Sequence, residues 1–382
     1  MASLHFPHRL SGFDFSKRLE LFQLFIAAAF TLTVFISPTL WIDHRLIPTA
    51  AAFGQAELPE FLNYLLIGIM LCAAALAPFN RTGLADLVCA LCIAVLVAYD
   101  LQRFQLEVYL FFLWWLTTGL YKHRVITAQA LFPVLQLTIL ATYITAGIMK
   151  LNPWFSANVY SWVISPLSDL PGGSLLTRGW ILAPLSEIGL GLLLCFRKTR
   201  VIGAIASIGF HGLMLYLFGP FGNNYHRVMW PMQAVLPLLV LLLFSGDDFV
   251  NPFRSLKTVV APRIAVILLF ILPFLHLKDW SDSAPSFATY DGRHYLGYVA
   301  VESYVVRKLP AYVQKKMTKV KDHDKYLVPL DNWVSEDLGV PFYHEKRVYM
   351  RYKHWLEPYA KHPGDVFVVL MKKGEIRIVQ DN

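Results

Sequence analysis

The sequence predicts an all-α polytopic membrane bundle of about nine transmembrane helices, followed by a small α+β exterior domain at the C-terminus. Three observations predict it. The chain is 56% hydrophobic and rich in aromatic residues, with a mean hydropathy of +0.48. Its apolar residues fall in repeated runs close to the length that crosses a hydrocarbon core. That character stops near residue 278, where a mixed polar pattern begins that carries half of the chain's 34 Lys and Arg.

The apolar runs give spans at 19–41, 61–77, 84–99, 106–120, 128–149, 180–196, 201–218, 228–244 and 263–277. Residues 1–18 read as a cytoplasmic segment and 19–277 as the membrane domain. The first run follows His5, His8, Arg9, Lys17 and Arg18. It exceeds a signal-peptide core and no small-residue cleavage site follows, so it reads as a retained span. With the N-terminus inside, twelve Lys and Arg fall on inner segments and four (Arg45, Arg103, Arg178, Arg227) on outer loops. The Arg197–Arg200 hairpin is the sharpest part of that positive-inside bias. Nine spans then put the tail outside an inner cell membrane.

In the tail, residues 278–382, GYVAVESYVV reads as a strand, VYMRYKHWLEPYA as a helix and DVFVVLMKKGEIRIV as a hairpin turning near Lys373-Gly374. The long outer loop 151–179 predicts a short re-entrant or interfacial helix. Cys72, Cys89, Cys92 and Cys195 all lie in apolar runs. They indicate no disulfide framework, and Cys89-x-x-Cys92 reads as two small core residues. The formal charge of +8 belongs to basic loops beside anionic lipid rather than to nucleic acid. The histidines show no metal-ligand spacing, and no phosphate-binding, dinucleotide, zinc-protease or serine-hydrolase motif occurs.

Lys150 is the candidate centre of function. It closes the apolar run YITAGIMK, where a lysine costs roughly 2.5–3.5 kcal/mol on insertion scales. The plain alternative is a lysine snorkelling to the headgroups. Tyr143 and Gly147 share its helical face, and Gly147 admits a close helix or a flat ligand. Glu187 and His211 lie inside the sixth and seventh spans. Asp100, Arg103, Gln105 and Glu107 cluster at the outer junction of spans three and four, and the turn GPFGNNYHRVMWP brings Asn224, His226 and Trp230 to the same side. These groups predict one polar pocket open to the outer leaflet, with Lys150, Glu187 and His211 as catalytic candidates. The others are candidate ligand contacts. Each has a structural reading too: Glu187 as the neutralising partner of Lys150 or His211, Asp100 with Arg103 as an interface pair, and the Gly/Asn stretch as a tight turn. A lysine held away from water is able to act as a base, or to bind an anionic headgroup or a quinone oxygen.

YITAGIMKLNPWF, with SEIGLGLLLCFRKTRVIGAIASIGFHGLMLYLFG further on, resembles the membrane core of the vitamin K-dependent gamma-carboxylase-like proteins. These are the horizontally transferred transmembrane (HTTM) domain superfamily, with DoxX-like relatives. The resemblance covers roughly residues 10–280. It implies that Lys150 stands where the family's element AGxxKL carries the base that deprotonates a reduced quinone, and that His211 matches a later intramembrane histidine. Two departures matter. Glu107 stands about where the carboxylase has a histidine, in a D-x-x-R-x-Q pattern similar to uncharacterised bacterial relatives. The tail of about 100 residues is also too short for a domain that binds a propeptide and its glutamate. Both argue against glutamate carboxylation.

Two functions fit these readings. One is a lysine-centred site for a quinone or isoprenoid lipid, with redox-linked chemistry open to it. The other is a non-catalytic subunit of a membrane complex that docks a protein partner through its exterior tail. A transporter fits less well, because neither inverted repeats nor paired broken helices are evident.

Overall fold

The computed structural model describes residues 14–379 apart from 42–44, 46, 54–56, 169–170, 172, 246–250, 310, 322–323, 363 and 373–374. His5, His8, Arg9 and the Lys373-Gly374 turn lie outside the described residues. The chain divides into two compact units. The first takes in 14–36, 64–94 and 105–292; the second takes in 37–63, 95–104 and 293–379.

Helices form where the apolar runs predict them. They are α1 (Phe15–Ile36), α2 (Glu60–Leu76), α3 (Leu84–Tyr99), α4 (Leu106–Lys122), α5 (Ala128–Lys150), α6 (Leu182–Cys195), α7 (Arg200–Phe218), α8 (Met229–Phe244) and α9 (Val260–Lys278). Among the described residues, four are long and apolar enough to cross a membrane: α1, α5, α7 and α9. The expectation of nine crossings is therefore corrected to four that length and composition support. The remaining helices have 14 to 17 residues. At about 1.5 Å per residue they reach roughly 21–26 Å, short of a core about 30 Å thick. The first run also breaks early. Helix α1 stops at Ile36, and Pro38, which cannot continue an α-helix ladder, opens a separate short turn, Pro38–Trp41.

In the first unit α5 is the central helix, 72% buried over its apolar window. It packs on α6, α4, α8 and α9, while α8 packs on α1 and α7. Small residues set the closest approach. A Cβ at Gly147 would lie 2.7 Å from Ile188 Cγ1 and 2.8 Å from the Pro184 oxygen, and one at Gly191 would lie 2.4 Å from Ile144 Cγ1. Helices α5 and α6 thus meet nearly backbone to backbone. The four cysteines are free, and all but Cys72 are buried. After α5 the chain makes short helical turns, Pro153–Phe155, Ser156–Tyr160, Ser161–Val163 and Ser165–Leu167, before Gly173–Arg178.

The second unit holds a five-stranded antiparallel sheet in the order β2-β3-β1-β4-β5. Its strands are β1 (Leu296–Glu302), β2 (Thr318–Lys319), β3 (Lys325–Pro329), β4 (Val366–Lys372) and β5 (Glu375–Val379). Val299 pairs with Val328 on one side and Val368 on the other, and all three are fully buried. Helix α10 (Leu330–Leu338) ends at Gly339, which takes the left-handed conformation (φ 67°). Helix α11 (Lys346–Leu356) buries Val348, Tyr349, Tyr352, Lys353 and Leu356. It lies on β1 and β4, with the Tyr349 ring filling the space a side chain at Gly297 would need.

Candidate functional site

A cavity of about 360 Å³ lies in the first unit, at the end of the bundle where α4, α6 and α8 begin and α5 and α7 finish. Its walls are mostly apolar and sulfur-bearing: Leu110, Phe155, Leu213, Met214, Met229 and Met232 among others. Three polar groupings face it.

The first is Lys150 with Glu187. Lys150 is the last residue of α5, and Asn152 caps the start of the next short helix, Pro153–Phe155. The Asn152 Oδ1 accepts from Trp154 N and Phe155 N at 2.9 and 3.1 Å, while its Nδ2 donates to Met149 O at 2.8 Å and Asp291 O at 3.0 Å. Glu187 sits in the second turn of α6, beside the Gly147 contact, so close helix packing carries its carboxylate to the ammonium. Lys150 Nζ donates to both oxygens at 2.7 Å, and the two side chains are 14% and 11% exposed. The pair borders the cavity rather than being sealed inside the fold.

The second grouping lies two helical turns deeper. The amide oxygen of Gln233 only accepts, so His211 Nδ1, 2.5 Å away, donates to it. Nε2 then accepts from the Tyr143 hydroxyl at 2.6 Å. A neutral imidazole with a fixed tautomer results.

The third joins Glu107 in the first turn of α4, His226 in the turn between α7 and α8, and Tyr290. His226 Nδ1 is 2.7 Å from the Tyr290 hydroxyl, and Nε2 is 3.2 Å from Glu107 Oε2. That second contact lacks hydrogen-bond alignment, so among the described residues Glu107 Oε2, His226 Nε2 and the nearby Thr289 Oγ1 are buried without a hydrogen-bond partner. His226 and Asn224 hold left-handed backbone (φ 54° and 47°), a conformation kept only where surroundings enforce it. Burial, with Tyr225 and Glu107 nearby, keeps the Tyr290 hydroxyl well above its usual range, so it stays protonated.

The expected residues thus divide. Lys150, Glu187, His211, Tyr143 and Glu107 line one cavity, and His226 stands directly behind Glu107. Gly147 serves the helix contact with α6 and does not line the cavity. Trp230 closes its turn by donating to Phe218 O and Tyr225 O at 2.9 and 3.1 Å, and Asn224 shapes the same turn. Gln105 precedes α4 and is buried. Asp100 and Arg103 belong to the second unit. There Asp100 pairs with Arg45, and Arg103 donates to the Leu40 and Trp41 oxygens and to Asn63 Oδ1 at 2.9–3.0 Å. Gln102 accepts from Tyr343 N at 3.0 Å and donates to the Tyr352 hydroxyl at 3.2 Å. These contacts tie together the three chain segments of that unit, and neither Asp100 nor Arg103 lines the Lys150 cavity.

Sequence reasoning missed Gln233, Thr289 and Tyr290. Gln233 carried a signal, as the one amide in the apolar run of α8. Tyr290, in the stretch ATYDGRH, carried none. The second unit also holds a partly buried polar row: His344 Nδ1 lies 2.9 Å from the Tyr349 hydroxyl and its Nε2 3.1 Å from Asp331 Oδ1. Burial lowers His344 to about 4, and burial raises Asp331 to about 6 against the opposing pull of His294.

No protein-family profile, no curated protein and no solved structure matches the chain.

Proposed function

We propose that the chain is an integral membrane protein whose cavity binds a quinone or isoprenoid lipid beside Lys150. The bias of basic residues in its loops supports an N-terminus on the cytoplasmic side of an inner cell membrane. The observation that carries this reading is the cavity's mixture of walls and poles. Apolar and methionine side chains suit a ring and an isoprenoid chain. The Lys150–Glu187 pair, the Tyr143–His211–Gln233 row and Glu107, whose Oε2 faces His226 Nε2 at 3.2 Å without making a hydrogen bond, offer hydrogen bonds to a polar head. Buried polar atoms without partners are uncommon in folded proteins, and a ligand is one of the few things that satisfies them. The volume falls at the small end of the range for small-molecule sites.

A quinone, once bound, supplies carbonyl or hydroxyl oxygens that exchange protons. Lys150 holds such an oxygen by donation, and Glu187 takes up the proton the ammonium releases. Tyr143, whose one O–H is given to His211, presents its oxygen as an acceptor at depth. The likeness of YITAGIMKLNPWF to the carboxylase-like family supports a proton role for Lys150. Glu107 in place of a histidine, and a second unit too small for a propeptide domain, weigh against glutamate carboxylation.

The test is chemical extraction of lipid from the purified full-length protein, followed by mass spectrometry. A quinone or isoprenoid lipid is expected at near one equivalent, and at a small fraction of that in Lys150→Met. Equal recovery from both proteins would remove the lysine from the proposal.

A further inference from the structure

The Lys150 cavity is roofed at the end of the bundle and open at its side. Five residues of the segment that follows α5 line it: Phe155, Tyr160, Val163, Ile164 and Leu167. Phe155, Tyr160 and Ile164 are 4%, 6% and 7% exposed. This roof is held down. Asn158 Nδ2 donates to Gly292 O at 3.2 Å, Asn223 Nδ2 to Val163 O at 3.1 Å, and the Tyr160 hydroxyl to Leu176 O at 2.7 Å. Toward α6 and α7 the walls differ. Leu176, Leu182 and Leu213 line the cavity and yet are 42%, 65% and 42% exposed. Ser186 also lines it and is exposed. A side chain that faces the cavity and the surface at once marks where the two meet. The cavity therefore reaches the surface through a slot between the first half of α6 and the last third of α7. The edges of the slot are apolar in effect, because Ser186 Oγ spends its proton on Ala183 O at 2.7 Å. The surface around it is apolar too: Leu185, Leu192, Ile205 and Ile208 are 48–59% exposed. Helix α7 is one of the four of membrane-crossing length and composition, and such a face belongs against hydrocarbon.

We propose that this slot is a lateral port, through which the isoprenoid tail of the ligand leaves the cavity into the hydrocarbon of the bilayer. The port deepens the reading of the cavity as a lipid site and rests on it. A volume of about 360 Å³ holds a ring and the first stretch of a chain. A longer chain has to leave, and the roof is closed to it. An exit at the side keeps the chain among apolar groups throughout, whereas an exit through the roof would carry it toward headgroups and water. The head then enters by the same route, out of the membrane rather than out of water. The site reads the head and the near part of the tail, and the length beyond the slot goes unread.

The experiment has two arms, both on the full-length protein. In the first, nitroxide labels are placed at Ser186→Cys and at Leu213→Cys in phosphatidylcholine vesicles. Cys72, the exposed cysteine, is replaced by serine in both. Collisions with dissolved oxygen are expected to dominate over collisions with a water-soluble nickel chelate. Nickel access as high as that of oxygen puts the slot in water and overturns the port, whatever the ligand. The second arm titrates naphthoquinones with no tail, with two isoprene units and with eight, in nonionic detergent. The eight-unit compound is expected to bind within about three-fold of the two-unit one. A loss of more than about ten-fold describes a closed cavity, which overturns the port and leaves a short-tailed ligand beside Lys150. Leu213→Trp, which narrows the slot, is expected to weaken the tailed compounds about ten-fold more than the tail-less one. Equal weakening of all three overturns the exit at Leu213. If none of the three binds the unsubstituted protein, the quinone reading itself falls, and the exit of its tail with it.

Discussion

Two of the molecule's groups of opposite charges, at Asp100 and at Lys150, look alike in sequence and differ in surroundings. In the second unit Asp100 is flanked by Arg45 and Arg103, and Arg103 spends its donors on the Leu40 and Trp41 oxygens and Asn63. In the first unit, among the described residues, Lys150 meets Glu187 alone, at the wall of a cavity. One group closes a packed junction between distant segments. The other keeps its charges beside space that a ligand fills. A buried charge is therefore not yet a site; what decides is whether it borders volume and whether its neighbours remain unsatisfied.

The sharpest way to break this comparison is to remove the carboxylate that the packed group depends on. Asp100→Ala removes the buried carboxylate that accepts from Arg45 and stands beside Arg103, and is expected to cost about 3–5 kcal/mol. Denaturant unfolding of the full chain, followed by tryptophan fluorescence, checks it. A loss below 1 kcal/mol would place Asp100 back among candidate site residues. Gly147→Val comes next. The new side chain meets Ile188 and the Pro184 oxygen, so about 1–3 kcal/mol of overpacking is expected. Displacement of α6 would carry Glu187 away from Lys150 and reduce ligand retention with it. An unaltered thermal midpoint would show that α5 and α6 are looser than their geometry implies.

The double substitution Lys150→Met/Glu187→Gln sharpens the comparison from the other side. It removes both charges together, which is often close to neutral for folding, so a change within about 1 kcal/mol is expected where Asp100→Ala gives several times that. The smallest effect is the acid response of the second unit. His344 falls from an ordinary 6.5 to about 4. Its contribution is full above pH 6.5 and is lost as pH falls through about 4. Asp331, raised to about 6, acts oppositely: its contribution is full below its ordinary 3.8 and is lost as pH rises through about 6. Asp331 keeps 34% of its side chain in water, so the histidine dominates. Stability of the unit is expected to decline between pH 6.5 and 4, and His344→Gln to flatten or reverse that slope. An identical slope in the variant would contradict the assignment.

Much of this arrangement was legible in the sequence, for physical reasons. Long apolar runs mark helices whatever their partners, and Lys150 and Glu187 stood out because intramembrane charges are costly. Helix α11, the β4–β5 pairing and the first part of the strand expected over GYVAVESYVV followed from their periodicity, whereas its second part, Ser303–Val306, is helical instead. What failed to show depends on tertiary choice. Helix lengths of 14–17 residues look like spans in hydropathy but fall short in reach. Strands β2 and β3 are short and lysine-bearing, so no alternation announces them. The Asp100–Arg103 segment lies next to α4 in sequence, yet its donors are taken by residues 40, 41 and 63. Tyr290 reaches the cavity from 140 positions beyond Lys150, a pairing that no local pattern encodes.

The central claim is that the Lys150 cavity is a ligand site. Its most direct test is equilibrium titration of a long-chain naphthoquinone into the purified full-length protein and into Lys150→Met/Glu187→Gln, in the same detergent. Loss of a charged hydrogen bond worth about 2 kcal/mol predicts roughly thirty-fold weaker binding with the thermal midpoint nearly unchanged. Equal affinity in two equally folded proteins would contradict the account.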